Sequence, residues 1–319
     1  MKVLITGAFG NLGLMCIEQA LSVGLDVRCF DRRSSQTLKQ SRRYGSRIET
    51  FFGDITDYAC HASLVSGVDA IIHNACLLPP QTENDPSRSW QVNVEGTLHL
   101  ATAAQRANPM MRFVFPSSVT VYGGAVVGES PRTLDDSVYV SDEYTRQKLT
   151  CEEALQKMSL EWVILRVGVS VDARTLRTDW DTFKQLLNIR PDNPLEYVHP
   201  KDVALAMCNA LTAPQASRKT FLIGGGPACQ TTQHGFLSAA MNACGLSLSP
   251  HVFGHNNFYT HWMDTRESQR ILNYQRHSFS AYRSEMQRAL VGARLALWPV
   301  KPVVNYLLEH FLFSLREAR

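Results

Sequence analysis

Tyr144 and Lys148 stand four residues apart in Tyr144-Thr145-Arg146-Gln147-Lys148, within a helically patterned stretch. Positions i and i+4 share one helix face, so the lysine ammonium comes near the phenol and favours its ionised form. An unperturbed tyrosine has a pKa of roughly 10. A neighbouring ammonium, with a bound cationic group beside it, would lower that value, making a usable general base. Ser118 lies 26 residues earlier, at the end of the strand that opens Phe113-Val114-Phe115-Pro116. Its hydroxyl could hydrogen-bond the substrate oxygen whose proton Tyr144 takes, and Thr120 offers a further substrate contact. Tyr139 is an internal contrast, because Glu143 and not lysine follows it at i+4. Plainer readings stand beside these: the Tyr-x-x-x-Lys spacing arises by chance, and Ser117 and Ser118 also read as strand-end hydroxyls.

A second constellation binds. Met1 to Gly13 reads MKVLITGAFGNLG, an apolar strand, a glycine turn and a helix start. Backbone N–H groups approach a pyrophosphate closely only where Cβ atoms are missing, and Gly7, Gly10 and Gly13 fall where such a turn requires them. Phe9, Asn11 and Leu12 belong to the same candidate cradle, although three glycines also suit a tight connection with no ligand. Asp31 ends the next strand, 18 residues beyond Gly13. A carboxylate there accepts from both adenosine ribose hydroxyls and repels a 2′-phosphate, favouring NAD. Arg32 and Arg33 keep NADP open, since guanidinium groups could hold that phosphate, stack on adenine or lie in solvent. Asp54 and Ile55 are candidates for the adenine edge, and Asn74, Ala75 and Cys76 for the cofactor's middle. Asn93 would tie that backbone down. Asp54 as a turn residue, His73 as a satisfied strand-end histidine and Asn93 as a helix polar group are the competing readings.

These residues need a scaffold that gathers strand ends. Strands are predicted at Val3–Thr6, Val27–Phe30, Ile48–Phe52, Ala70–His73, Arg112–Pro116, Trp162–Val167 and Thr220–Ile223. Helices are predicted at Leu12–Val23, Ser89–Ala107, Asp142–Met158 and Lys201–Leu211. Alternation of the two implies an α/β fold with a parallel sheet covered on both faces, whose ligands sit at the carboxyl strand ends. The 319 residues suffice for a large core, and 32 basic against 29 acidic residues give no reason to expect nucleic acid. Eight cysteines occur singly without metal-finger spacing, which fits reduced thiols in a cytoplasmic protein and no metal. A strand starting at residue 2 leaves no room for a targeting peptide.

The chain resembles the extended short-chain dehydrogenase/reductases, the NAD-dependent epimerase/dehydratase group. TGAFGNLG, Asp31, GDITD, HNAC, NVEGT, PSSVTVYGG, YTRQK, ILRVG and YVHPKDVA carry the resemblance over about residues 1 to 226. It implies a Rossmann domain with a doubly wound, seven-stranded parallel sheet, over 1–167 and 196–226. A small carboxyl-terminal substrate domain would occupy 168–195 and 227–290, with an extension over 291–319. It further implies that Ser118, Tyr144 and Lys148 are catalytic, and that Lys148 and Tyr144 also contact the nicotinamide ribose.

Two departures narrow the choice. Val119-Thr120-Val121 stands where sugar 4,6-dehydratases of the family carry an Asp-Glu pair, which disfavours dehydration. Only about thirty residues, Gly168 to Glu196, separate ILRV from YVHPKDVA, short for a nucleotide-sugar cradle. The expectation is an alcohol dehydrogenase or carbonyl reductase acting on a small molecule, with Arg174, Arg177 and Arg190 as candidate anchors for an acidic group. An epimerase with retained NAD, or a cofactor-binding regulatory protein, are the alternatives. At the carboxyl end Val303, Leu307, Phe311 and Leu315 recur at i+4, with Val304, Leu308 and Leu312 beside them and Asn305, Glu309 and Ser314 off the stripe. They predict an amphipathic helix, set off by Pro299 and Pro302 and far short of a membrane span. Its stripe is expected to fold back on its own domain, to meet a second copy in a homodimer, or to touch a membrane surface.

Overall fold

A computed structural model describes residues 1–124, 130–172 and 180–317. In chain order the first half contains β1 (Lys2–Thr6), α1 (Asn11–Ser22), β2 (Asp26–Asp31), α2 (Ser35–Arg42), β3 (Ile48–Phe52), α3 (His61–Val65) and β4 (Ala70–His73). Then come α4 (Gln81–Asn84), α5 (Pro86–Trp90), a π turn over Gln91–Glu95, α6 (Gly96–Ala107), β5 (Arg112–Ser118), α7 (Glu143–Gln156) and β6 (Glu161–Val167). After these follow α8 (Trp180–Leu187), β7 (Pro194–Glu196), α9 (Pro200–Thr212), β8 (Lys219–Ile223), β9 (Gln230–Thr232) and α10 (Gln233–Ala243). The chain closes with α11 (Arg266–Leu272), α12 (Phe279–Ala289), α13 (Val291–Leu297) and α14 (Lys301–Glu317).

Seven strands form one parallel sheet in the order β3-β2-β1-β4-β5-β6-β8. Its order reverses between β1 and β4, where a crevice opens at the carboxyl strand ends. Register places Thr6 between Phe30 and His73 there. Because both faces are covered, successive residues of one strand enter different cores. Val3 and Ile5 join Ile17, Met207 and Ala210 from α1 and α9, whereas Leu4 joins Ile71, Leu100 and Leu155 on the other face. Each fully buried aliphatic side chain contributes roughly 1.5–3 kcal/mol, against about 0–1 for an exposed ion pair, so the two cores hold the sheet.

All seven predicted strands are present, within two residues at each end. The two-stranded antiparallel pair of β7 and β9 was not foreseen, because each is three residues long and β7 opens on Pro194. The helix predicted from Ser89 starts earlier, at Pro86, where the Asp85 carboxylate accepts from the Arg88 N–H at 2.9 Å. It then widens into the π turn, a feature that apolar periodicity does not reveal. The tail corrects the expected stripe. Pro302 sits inside the first turn of α14, where no intrahelical N–H is needed, and Pro299 lies in the single turn joining it to α13. Leu308 packs on Leu187, Leu237, Leu248, Val252 and Phe253, and Asn305 accepts from the Ser247 N–H. Val303 and Leu307 face outward.

Behind the sheet's carboxyl edge, Arg166 on β6 reaches Glu152 on α7 at 2.7 Å through Nη2 and donates to the Tyr122 hydroxyl at 2.6 Å through Nη1. All three are buried, and Glu152 is one helical turn from Lys148. Removing one partner from such a pair leaves an uncompensated charge. Arg166→Leu is expected to lower the unfolding free energy by about 3–5 kcal/mol. The double variant Arg166→Leu/Glu152→Leu should recover much of that loss in urea titration, and equal loss in both would contradict the pairing.

Candidate functional site

The glycine turn after β1 presses against the segment after β4. Gly7 has φ +58°, and a Cβ there would come within 2.8 Å of the Asn74 carbonyl and the Ala75 nitrogen. A Cβ on Gly13 would overlap the Gly7 carbonyl oxygen, so that glycine serves helix-to-turn packing. Gly10 begins α1 with no side-chain cap, which leaves the first-turn N–H groups of Asn11, Leu12 and Gly13 for an anion while the Leu12 side chain joins the core.

A groove of about 570 Å³ runs past this turn. Of the sequence candidates, Gly7, Phe9, Gly10, Asp31, Arg32, Asp54, Ile55, Asn74, Ala75 and Cys76 line it, and Arg33 joins them. Ser34, Gln36 and Thr37 also line it from the start of α2, and no sequence motif marks them. Asp31 Oδ2 accepts from the Phe9 N–H at 2.8 Å and Oδ1 from the Arg32 N–H at 2.7 Å. Burial raises the Asp31 pKa above the usual carboxylate value, partly offset by those two bonds. Asp54 takes Thr56 on one oxygen and the Arg88 guanidinium on the other, so its charge is already met within the protein.

Beneath the groove a buried chain of hydrogen bonds ties three elements together. Thr97 Oγ1 donates to the Asn93 carbonyl at 2.6 Å and lies 2.9 Å from His73 Nε2; His73 Nδ1 lies 2.8 Å from Thr6 Oγ1, which accepts from the Ala75 N–H. With Thr97 spending its proton on Asn93, His73 must donate from Nε2 and accept at Nδ1. Burial drives the His73 pKa down to about 3, and Lys148 pushes the same way. His73 is a neutral, satisfied strand-end residue. Asn93 sits in the π turn with its amide spent on protein partners: Oδ1 accepts from the Leu77 N–H at 2.7 Å, and Nδ2 donates to the Leu77 carbonyl and to Gln147 Oε1. It fixes the loop that lines the groove, as its sequence position suggested, and Gln147 links it to α7.

The structure brings Ser118, Tyr144 and Lys148 together. Ser118 ends β5; Asp142 caps α7 by accepting from the Thr145 N–H, and Glu83 accepts from the Glu143 and Tyr144 N–H groups. Glu83 was not anticipated, since nothing in sequence links it to α7. Ser118 Oγ accepts from the Thr120 N–H at 3.2 Å and the Thr120 hydroxyl at 2.9 Å. Both lone pairs being engaged, its own proton is left free to point at another acceptor, and the Ser118 hydroxyl favours the ionised form of the neighbouring Tyr144. Thr120 therefore positions Ser118. Lys148 Nζ donates to the Pro116 carbonyl at 2.8 Å and lies over the Phe115 and Tyr144 rings at 4.7 and 5.6 Å.

The expected lowering of the Tyr144 pKa is not met by the protein alone. Burial raises it, and the opposing pull of Lys148 and of the Ser118 hydrogen bond does not cancel that rise. Burial works against the Lys148 ammonium, yet Cys76 and Tyr144 beside it leave its pKa above the ordinary lysine value. Arg174 and Arg177 lie outside the described residues. Arg190 is held by Asp192 at 2.6 Å on the surface.

The family model for the NAD-dependent epimerase/dehydratase family matches residues 3–170. A 3-beta-hydroxysteroid dehydrogenase of Mycolicibacterium neoaurum is 30% identical over 219 residues, covering 62% of this chain and 58% of that protein. A "3 beta-hydroxysteroid dehydrogenase/Delta 5-->4-isomerase" of Mycobacterium tuberculosis (strain CDC 1551 / Oshkosh) is 35% identical over 157 residues, covering 47% of this chain and 41% of that one. The chain thus spans about half the length of these relatives. In fold, it is similar to a short-chain dehydrogenase/reductase superfamily protein from Agrobacterium tumefaciens with bound NAD, with a TM-score of 0.76 and 23% identity over 93% of this chain and 98% of that one.

His73 gives the site a measurable signature. It stays neutral, with a single ring proton, in the folded state above about pH 3, whereas the unfolded residue takes up a second below about pH 6.5. Its contribution is therefore complete above about pH 6.5 and is lost as pH falls, reaching about 2 kcal/mol near pH 5. Urea unfolding across this range should show His73→Gln losing that part of the acid slope, and an unchanged slope would contradict the assignment.

Proposed function

The chain belongs to the NAD-dependent epimerase/dehydratase family, and from that premise we propose that it is an NAD-dependent dehydrogenase, or in reverse a carbonyl reductase, of an apolar secondary alcohol that carries no nucleotide. The observation that carries this reading is the contact of Ser118 and Tyr144 with Lys148 one helical turn away. The residues present fit the cofactor: Gly7 keeps a cradle open that a Cβ would fill, α1 presents an uncapped N-terminus, and Asp31 sits at the ribose end of the groove. NAD held there would supply the hydride acceptor for the carbinol carbon. Tyr144 takes the hydroxyl proton, Ser118 steadies the same oxygen, and Lys148 stabilises the phenolate charge while Pro116 holds the ammonium in place. Tyr144, whose pKa burial holds up despite Lys148, would need a further positive charge beside it to ionise near neutral pH.

An apolar substrate is supported by the surface around this point. Val138, Tyr139 and Val140 precede α7, with the Tyr139 N–H bonded to the Val121 carbonyl, and Leu78 follows the groove loop; all four are exposed. The hydroxysteroid dehydrogenases among the relatives point the same way. In this reading 1–167 and 196–226 carry the cofactor, while 168–195 and 227–290 contribute the substrate side. Net NADH formation with a hydroxysteroid or a similar alicyclic alcohol tests the reading; interconversion of epimers without net NADH would support the epimerase instead.

Tyr144→Phe should reduce turnover about 10²-fold or more with cofactor affinity little changed. Lys148→Met removes a charge that favours the phenolate, so the acid limb of kcat/KM for oxidation, which rises as Tyr144 ionises, should move to higher pH; a limb that stays put would contradict the pairing. Asp31→Asn keeps an acceptor for the Phe9 N–H but removes the charge that repels a 2′-phosphate. Calorimetric titration should show the preference for NAD over NADP narrowing or reversing, and an unchanged preference would assign selectivity elsewhere.

A further inference from the structure

The carboxyl-terminal helices α13 and α14 leave a large apolar surface uncovered. Leu295 is 71% and Trp298 77% exposed; with Val291 they follow one face of α13 at i, i+4 and i+7 spacing. Val300 in the joining turn and Val303 and Leu307 on α14 continue outward beside the exposed Tyr306. A neighbouring side of α14 is the one that docks, through Leu308 and Asn305. A patch of this kind on a folded domain marks a surface that meets something apolar.

Charge selects the occupant. From Gln287 to Leu308 the sequence contains Arg288, Arg294 and Lys301 and no acidic residue. All three cations are exposed. Along α14 alone they make no basic face, but folding brings Arg294 and Lys301 to the rim of one cavity of about 690 Å³, bounded also by Gly245, Leu297 and Trp298. Aromatic side chains with an apolar body and a polar edge stand beside them in Trp298 and Tyr306, the residue types that sit at a membrane–water boundary. A second copy docked on the same patch about a two-fold axis would set Arg294 and Lys301 against their own counterparts. No described helix is long and apolar enough to cross a membrane, so the geometry is that of lying on a surface.

We propose that α13 and α14 form a docking surface for an anionic phospholipid bilayer, with Leu295, Trp298, Val303 and Leu307 entering the headgroup boundary and Arg294 and Lys301 holding phosphate groups. This does not rest on the proposed activity. The test is co-sedimentation of the full chain with phosphatidylcholine vesicles, with and without phosphatidylglycerol. The chain should bind the anionic vesicles, and more weakly as salt rises. Trp298→Glu and Leu307→Glu should each weaken binding about tenfold or more. Lys301→Glu should weaken it about fivefold or more, and only toward anionic vesicles. None of these side chains lines the cofactor groove, so NAD titration and the unfolding temperature should match the parent and report intact folding. Absent sedimentation, equal binding to both vesicle types, or a dimer in light scattering that Trp298→Glu dissociates would each overturn the proposal, the last by assigning the patch to a second copy. Turnover persisting through such a failure would leave the enzymatic reading untouched.

Discussion

The constraint on which the site depends is the approach of two backbones at the carboxyl ends of β1 and β4. Gly7 comes so close to Asn74 and Ala75 that a methyl group would not fit between them, and its left-handed conformation costs a larger residue again. Parallel pairing of β1 with β4 brings the two segments side by side. Their contact is then locked from below, where Thr6, His73 and Thr97 pass hydrogen bonds from the strand end to the π turn. One face of this junction is a buried network with every proton assigned. The other is a groove lined by backbone, where a ligand can approach as closely as the strands approach each other.

Electrostatics at Tyr144 shows why proximity alone does not make a base. Each unit of pKa is worth about 1.4 kcal/mol between the two protonation states, and a buried phenol gives up its hydration when it ionises. Lys148 repays part of that loss. It does so from a fixed place, because the Pro116 carbonyl and the Phe115 ring hold the ammonium. Ser118 acts similarly, since Thr120 occupies its acceptor sites and leaves a single direction for its proton. The site is thus preorganised, and under the proposed reading a cation bound in the groove would supply the remaining shift.

Function also has an outer face. Leu78 and the Val138–Val140 strip are exposed, and the carboxyl-terminal helices expose a second apolar surface with Arg294 and Lys301 beside it. An enzyme for apolar alcohols that rests on a bilayer would meet its substrate where such molecules collect. Each proposal stands on its own residues and can fail alone.

The sequence by itself determined the sheet and the glycine turn after β1. Seven strands fall where apolar runs and glycine turns put them, because a parallel sheet buried on both faces writes continuous apolar segments into the chain. Gly7, Gly10, Asp31 and the Tyr144–Lys148 spacing were legible for a similar reason: each follows from local geometry, a turn without Cβ or one turn of helix. What only the tertiary structure decided lies in pairings across long separations. Glu83 anchoring α7, Gln147 joining Asn93, and Thr120 turning Ser118 from a bare hydroxyl into an oriented donor carry no spacing rule. The tail is the same lesson in reverse. Its apolar periodicity predicted a helix, but Leu308 rather than Leu307 found the core, because two adjacent stripes look alike in sequence and only the docked neighbour distinguishes the side that is buried from the side left outside.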